Sequence, residues 1–209
     1  MKIIDISRKF FSCDIYPGDP EPKAEQILSV KKGDGCNLSA VYSGVHTGTH
    51  VDAPLHFIDG GASIEKLPLD AFVGPCRVIS VPQGVITGDY VDRYFPEKCE
   101  RLLIKGNGRA FFMDSAAEEA VRRGLLLIGT DSLSVGCKGN QMAPHKAFLG
   151  AGVAVLEGLD LSEVTPGEYF LFAAPIAFDG LEGAPARAVL IDDYIFWSKA
   201  HEHLNRGAK

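Results

Sequence analysis

Short blocks of aliphatic and β-branched residues, each closed by a turn-forming residue, recur along the chain at 3–6, 26–30, 38–42, 77–81, 102–104, 125–128, 153–156, 169–172 and 188–191. Blocks of that length predict strands rather than helices. Several are apolar throughout, which predicts strands covered on both faces. The 23 glycines lie scattered between the blocks, with no repeat, low-complexity tract or long linker among them. Together these features predict a sheet-rich α/β fold.

Helical patterning is confined to three places. Ser115-Ala116-Ala117-Glu118 has the form of a capping box, which predicts a helix starting there and stopping at Gly124, with Arg122 and Arg123 complementing its negative end. Flanked by the blocks at 102–104 and 125–128, it reads as a right-handed βαβ crossover. A second helix is predicted over 143–149 and a third over 88–95, with Pro96 as the stop. Gly106-Asn107-Gly108 follows a predicted strand but lacks the third glycine of a dinucleotide fingerprint, so a turn is expected. Neither a GxSxG elbow nor an HExxH helix occurs.

Composition narrows the picture. At 209 residues and 46% hydrophobic content, one domain spanning residues 1–209 can bury its own core. Lys plus Arg number 21 against 27 Asp plus Glu, a net charge of −6. That balance offers no footprint for nucleic acid or an anionic membrane and points to a small-molecule partner. Lys2, Asp5, Arg8, Lys9 and Asp14 interrupt any apolar run of signal-peptide or membrane-spanning length, so a cytoplasmic location is expected. Five cysteines without CxxC spacing predict buried or partly buried reduced thiols rather than a disulfide framework.

The chemistry concentrates at residues 46–56, HTGTHVDAPLH. Three of only six histidines, His46, His50 and His56, fall here with Asp52 among them. Imidazole nitrogen and carboxylate oxygen suit zinc, manganese or iron. Thr47, Gly48 and Thr49 let the chain turn tightly, so His46 and His50 sit either on one helical turn or in a loop. Taken alone, His145 reads as a polar residue on the exposed face of the 143–149 helix, and Glu157 as the start of a turn. Gly129-Thr130-Asp131-Ser132, after a predicted strand, reads either as substrate contact or as an Asx-type turn. His201-Glu202-His203 reads as a solvated tail and is set outside the site.

HTGTHVDAPLH resembles the HxGTHxDxPxH signature of the metal-dependent cyclase family, which includes bacterial-type kynurenine formamidases (arylformamidases), isatin hydrolase and proteins once named polyketide cyclases. Tyr16-Pro17-Gly18-Asp19, Gly74-Pro75-Cys76-Arg77-Val78-Ile79 and Pro185-Ala186-Arg187-Ala188-Val189-Leu190 also resemble recurrent family segments. The resemblance implies that His46, His50, Asp52, His145 and Glu157 hold a divalent metal, zinc first and manganese second, with Asp52 and Glu157 bridging a binuclear centre. It further implies His56 as an unligated acid/base; Tyr16, and Asp131 from its place after a predicted strand, are expected as substrate contacts. The implied fold is a swivelling β/β/α domain, and the implied assembly a homodimer. At 131–142 the chain reads DSLSVGCKGNQM where kynurenine formamidases carry a Thr-Pro-Ser-Leu-Asp-like loop; this departure bears on the substrate.

The implied activity is hydrolysis of N-formylkynurenine to kynurenine and formate, a step of tryptophan catabolism. Bound metal lowers the pKa of its water to about 7 and polarises a carbonyl. His56, with an ordinary pKa of about 6.5, can take a proton and return it to the departing amine. Two other readings share the scaffold: opening of a cyclic amide such as isatin, and metal or ligand binding without catalysis.

Overall fold

The computed structural model describes residues 1–192. In chain order its elements are β1 (Lys2–Asp5), β2 (Lys23–Leu28), β3 (Leu38–Tyr42), β4 (His50–Asp52), β5 (Val73–Ser80), β6 (Gly84–Ile86), α1 (Gly88–Tyr94), β7 (Arg101–Lys105), β8 (Ala110–Phe112), α2 (Asp114–Arg122), β9 (Leu127–Thr130), α3 (Met142–Gly150), β10 (Ala154–Glu157), β11 (Gly167–Phe172), β12 (Gly183–Pro185) and β13 (Val189–Asp192). His201-Glu202-His203 lies outside the described residues.

Nine strands form one curled sheet in the order β1-β13-β11-β5-β7-β9-β10-β4-β12. The four central strands, β5, β7, β9 and β10, run parallel, and the outer pairs are antiparallel. Strands β7, β9 and β10 are buried along nearly their whole length and largely apolar, whereas β5 keeps exposed positions at Pro75 and Ser80; alternate residues of the buried strands serve different cores. Leu103, Leu127 and Leu156 enter one buried cluster with Ile6, Val51, Phe72 and Leu190. Leu102, Ile104, Ile128 and Val155 enter the other, with Val91, Phe112, Ala116, Ala120 and Phe148 from the helical side. Residues from both ends of the sheet meet in the first cluster, and a bridge between Ser7 and Leu159 ties the exit of β1 to that of β10. The fold is the expected sheet-rich swivelling β/β/α domain.

The βαβ reading is sound in its pairing, since β7 and β9 are parallel neighbours with α2 between them in the chain. The capping box is not. Helix α2 begins at Asp114 with Met113 in the cap position, so Ser115 falls inside the first turn. Its hydroxyl instead accepts from Gly88 N at 3.2 Å, at the start of α1. Arg123 likewise works across the helix pair, donating to the carbonyls of Phe95 at 3.1 Å and Asp92 at 3.0 Å. Strands β4, β6, β8 and β12 were not expected from the pattern, because each is three residues long and is a strand only by virtue of its neighbours. The five cysteines are free, but Cys36 is exposed rather than buried. Among the described residues, strands β2 and β3 pair only with each other, and Ile27, Leu38, Val41 and Tyr42 are exposed on that hairpin.

Candidate metal centre

Strand alternation places His50 and Asp52 on one face of β4 while Val51, fully buried, points into the core. Beta-sheet pairing then recruits the distant carboxylate. Glu157 lies directly opposite His50 in the antiparallel β10–β4 ladder, where side chains of facing residues stand about 5 Å apart. His46 precedes the strand in a turn, not on a helical turn with His50; Gly48, at φ 67°, reverses the chain between them. His145 comes from α3 and is 2% exposed, so it faces the interior rather than solvent as its helix pattern suggested.

The structure brings His46, His50, Asp52, His145 and Glu157 into one cluster. Asp52 Oδ1 pairs with His46 Nδ1 at 2.8 Å and lies 3.3 Å from His50 Nε2. His145 Nε2 is 3.1 Å from Glu157 Oε1 and 3.4 Å from Asp52 Oδ2, and His50 Nε2 is 3.6 Å from Glu157 Oε2. Two groups with metal-ligating geometry result, His46–His50–Asp52 and Asp52–His145–Glu157, and Asp52 belongs to both.

The hydrogen bonds around the rings decide which atoms are left for a cation. His50 Nδ1 meets the Gly48 carbonyl at 2.9 Å and His145 Nδ1 the Gln141 carbonyl at 2.7 Å. A carbonyl only accepts, so both Nδ1 atoms carry hydrogen and each Nε2 is left with its lone pair aimed at carboxylate oxygen. Lone pair against lone pair is repulsive unless a proton or a cation lies between. Bonds of about 2.0–2.2 Å arranged tetrahedrally would set donor atoms about 3.3–3.6 Å apart, the spacing found around His50 Nε2. Among the described residues, neither the buried Asp52 Oδ2 nor the buried His46 Nε2 has a hydrogen-bond partner, and such orphans are costly unless a bound ion satisfies them. The donor set fits a divalent metal.

Titration behaviour follows from the same crowding. Burial disfavours the charged form of His50, yet hydrogen bonds and charge from Asp52 and Glu157 outweigh it and push the imidazole up to about 10. His145 is likewise pulled down by burial but raised to about 10 by Glu157 and Asp52. Burial would raise Asp52, but the imidazoles of His145, His46 and His50 hold it well below the usual carboxylate range. Glu157, opposed by burial and by Asp52, is still lowered through His145 and His50.

His56 is the last residue of the short helical turn Pro54–His56 and stacks on the His46 ring, with centroids 4.0 Å apart. Among the described residues no carboxylate pairs with it. Burial holds its pKa below the ordinary histidine value, and the neighbouring charges do not reverse that.

A cavity of about 210 Å³ opens onto the cluster, lined by Tyr16, Asp19, His46, His50, His56, Phe57, Leu133, Ser134, Gln141, His145 and Glu157. Tyr16 is therefore where the sequence placed it. Asp131 does not line this cavity; both its oxygens accept from Gly106 N, at 3.0 and 3.1 Å, a long-range bond rather than the Asx-type turn of the alternative reading. Phe57, Ser134 and Gln141 were missed. Leu133, Ser134 and Gln141 nevertheless belong to the 131–142 segment whose departure from the formamidase pattern was noted, and that was the available signal.

Residues 4–136 match the family model described as "Putative cyclase". The chain belongs to the cyclase family. Within it, the chain is 35% identical to a kynurenine formamidase of Salinibacter ruber over 92% of this chain and 98% of that protein. It is 32% identical to a kynurenine formamidase of Delftia acidovorans, over 84% and 90%. A solved cyclase-family structure, described as a potential metal-dependent hydrolase with cyclase activity, superposes with a TM-score of 0.78 at 30% identity, covering 90% of this chain and 96% of that one. Isatin hydrolase A of Labrenzia aggregata shares the fold, with a TM-score of 0.75 at 21% identity over 90% and 93%.

Proposed function

We propose that this protein is a metal-dependent hydrolase of aryl formamides, with N-formylkynurenine as the leading substrate and formate and kynurenine as products. The observation that carries the proposal is the buried histidine–carboxylate cluster, with Asp52 common to two ligand groups, opening into a cavity beside an unpaired histidine. The names of the two curated relatives support the formamide. His46, His50 and Asp52 would hold one ion and Asp52, His145 and Glu157 the other, zinc in the first instance and manganese in the second. The metal's contribution is to make bound water acidic enough to attack near neutral pH and to draw electrons from the formyl carbonyl.

The remaining chemistry belongs to the chain. His56, kept neutral at pH 7 by burial, takes the proton of the attacking water and returns it to the aryl nitrogen as the C–N bond breaks. Phe57 and Leu133 give an apolar wall against which an aryl ring packs. The cavity is smaller than the roughly 300 Å³ at which drug-sized pockets begin, so it suits one substituted ring. The exposed apolar residues of the β2–β3 hairpin support the homodimer reading, and we retain the cytoplasm and tryptophan catabolism as setting.

The test compares formate release from N-formylkynurenine and ring opening of isatin by the metal-loaded wild type and by His56→Ala. The proposal requires formamide turnover, abolished by chelation, and a fall of about 10²–10⁴ in kcat for the variant with its metal content intact. Turnover of isatin alone would shift the assignment to a lactam hydrolase, and metal binding without turnover of either would leave a binding module.

A further inference from the structure

A second cavity, of about 450 Å³, lies beside the first and is lined by Arg8, Asp14, Arg109, Asp131, Leu133 and Asp160 among others. Three features join the two. Leu133 lines both. The N-terminal loop supplies Arg8 and Asp14 to the second and Tyr16 and Asp19 to the first. The exit of β10 supplies Glu157 to the first and Leu159 to the second. Those two residues are about 7 Å apart at about 3.3 Å per residue.

The charges of this second cavity are only partly spent. Arg8 donates to the Asp131 carbonyl at 2.8 Å, but its Nε is fully buried with no partner. Among the described residues its ion-pair partner is Asp14, at 3.9 Å, and its charge also acts on Asp160. Asp14 is itself 83% exposed. Among the described residues no carboxylate pairs with Arg109. The other two carboxylates are committed: Asp131 to Gly106 N, and Asp160 to Ser162 N at 3.2 Å and Ser162 Oγ at 2.7 Å. What remains available is therefore the Arg109 guanidinium and the loose, solvent-facing Arg8–Asp14 pair.

We propose that this cavity is the subsite for the amino-acid end of the substrate, with Arg8 and Arg109 receiving an α-carboxylate and Asp14 an α-ammonium. The inference rests on the aryl formamide reading and deepens it, because N-formylkynurenine carries such a zwitterion about seven bonds from its formyl carbon. Seven bonds, one of them held cis by the ortho-substituted ring, reach at most about 8 Å, and Leu133, which lines both cavities, marks where the tail would pass. A mixed lining suits a zwitterion better than a simple anion, which the carboxylates would repel. Arg8 and Asp14 are thus specificity residues, and neither touches the reacting bond.

The experiment measures kcat/KM for N-formylkynurenine and for formanilide, which lacks the amino-acid tail, in wild type, Arg8→Gln, Arg8→Lys and Asp14→Asn. The preference for N-formylkynurenine over formanilide is expected to fall about 10- to 100-fold in Arg8→Gln, the loss of one charge-assisted hydrogen bond. Arg8→Lys should recover part of it, and Asp14→Asn, at an exposed position where folding is not at risk, should lower it less. An unchanged preference in Arg8→Gln and Asp14→Asn overturns the subsite. A wild type that cleaves neither substrate overturns the formamidase reading instead. In that case calorimetry with kynurenine decides: binding lost in Arg8→Gln sustains the subsite, and no binding to wild type removes it.

Discussion

Replacing Asp52 by asparagine keeps the shape of the side chain and removes one buried charge from the point where both ligand groups meet. Without metal, the His50 and His145 Nε2 atoms lie 3.3 and 3.4 Å from its oxygens. At an effective dielectric of about 20, each such imidazolium–carboxylate pair is worth about 5 kcal/mol. The elevation of His50 from 6.5 to about 10 corresponds to a similar figure, about 5 kcal/mol at about 1.36 kcal/mol per pH unit. Glu157 supplies part of that and desolvation opposes it, so the net cost of breaking the buried pair is about 3–5 kcal/mol. Total stabilities run about 5–15 kcal/mol, which leaves the metal-stripped variant little margin. Urea unfolding of stripped protein should show a much lower midpoint for Asp52→Asn than for wild type. Elemental analysis of reloaded protein should show ions lost from both positions together, whereas His46→Ala or Glu157→Gln should lose one. An Asp52→Asn variant that retains two tightly held ions would refute the shared-ligand reasoning.

Three further outcomes follow from the same geometry. Because burial lowers the His56 pKa, the acid limb of kcat/KM should lie below the ordinary histidine value of about 6.5, with activity falling as pH drops through it; a limb above that value would exclude His56 as the base. His50 and His145 have folded pKa values raised to about 10. Their stabilisation of stripped protein is therefore complete below about 6.5 and lost as pH rises toward 10. Metal binding must displace those protons, so affinity should climb across the same window, and calorimetry in buffers of different ionisation heat would detect the release. Gly158→Ala should cost about 3 kcal/mol in denaturant unfolding and weaken metal retention. A Cβ there would stand 2.2 Å from the Gly48 carbonyl at a φ of 66°, adding overpacking to left-handed backbone strain; an unchanged midpoint would contradict the close approach.

Much of the centre was readable from residue types. HTGTHVDAPLH announced its ligands because imidazoles and a carboxylate within one short stretch have few other uses, and the resemblance supplied His145 and Glu157. The seven-residue helix α1 and strand β3 were legible because Pro96 stops one and turn residues bracket the other. The cap of α2 was misplaced by two residues, Ser115 for Met113, and this was enough to turn Ser115 from a cap into a partner for Gly88.

Local sequence therefore determined which groups are available: the histidine cluster, the apolar central strands, and the turns between them. Tertiary structure alone decided which of them meet. Strand β4 exists because β10 and β12 flank it, and the register of that pairing sets Glu157 opposite His50. His145 shares the buried face of α3 with Phe148 and Leu149, three and four residues on, but what it meets there, including the Phe57 ring that stacks on it at 4.5 Å, is set by how the helix docks. Asp131, placed by its spacing after a strand, turned instead to Gly106 N. Propensity acts over neighbouring residues, whereas ladder register and helix docking are set by contacts between segments far apart in the chain.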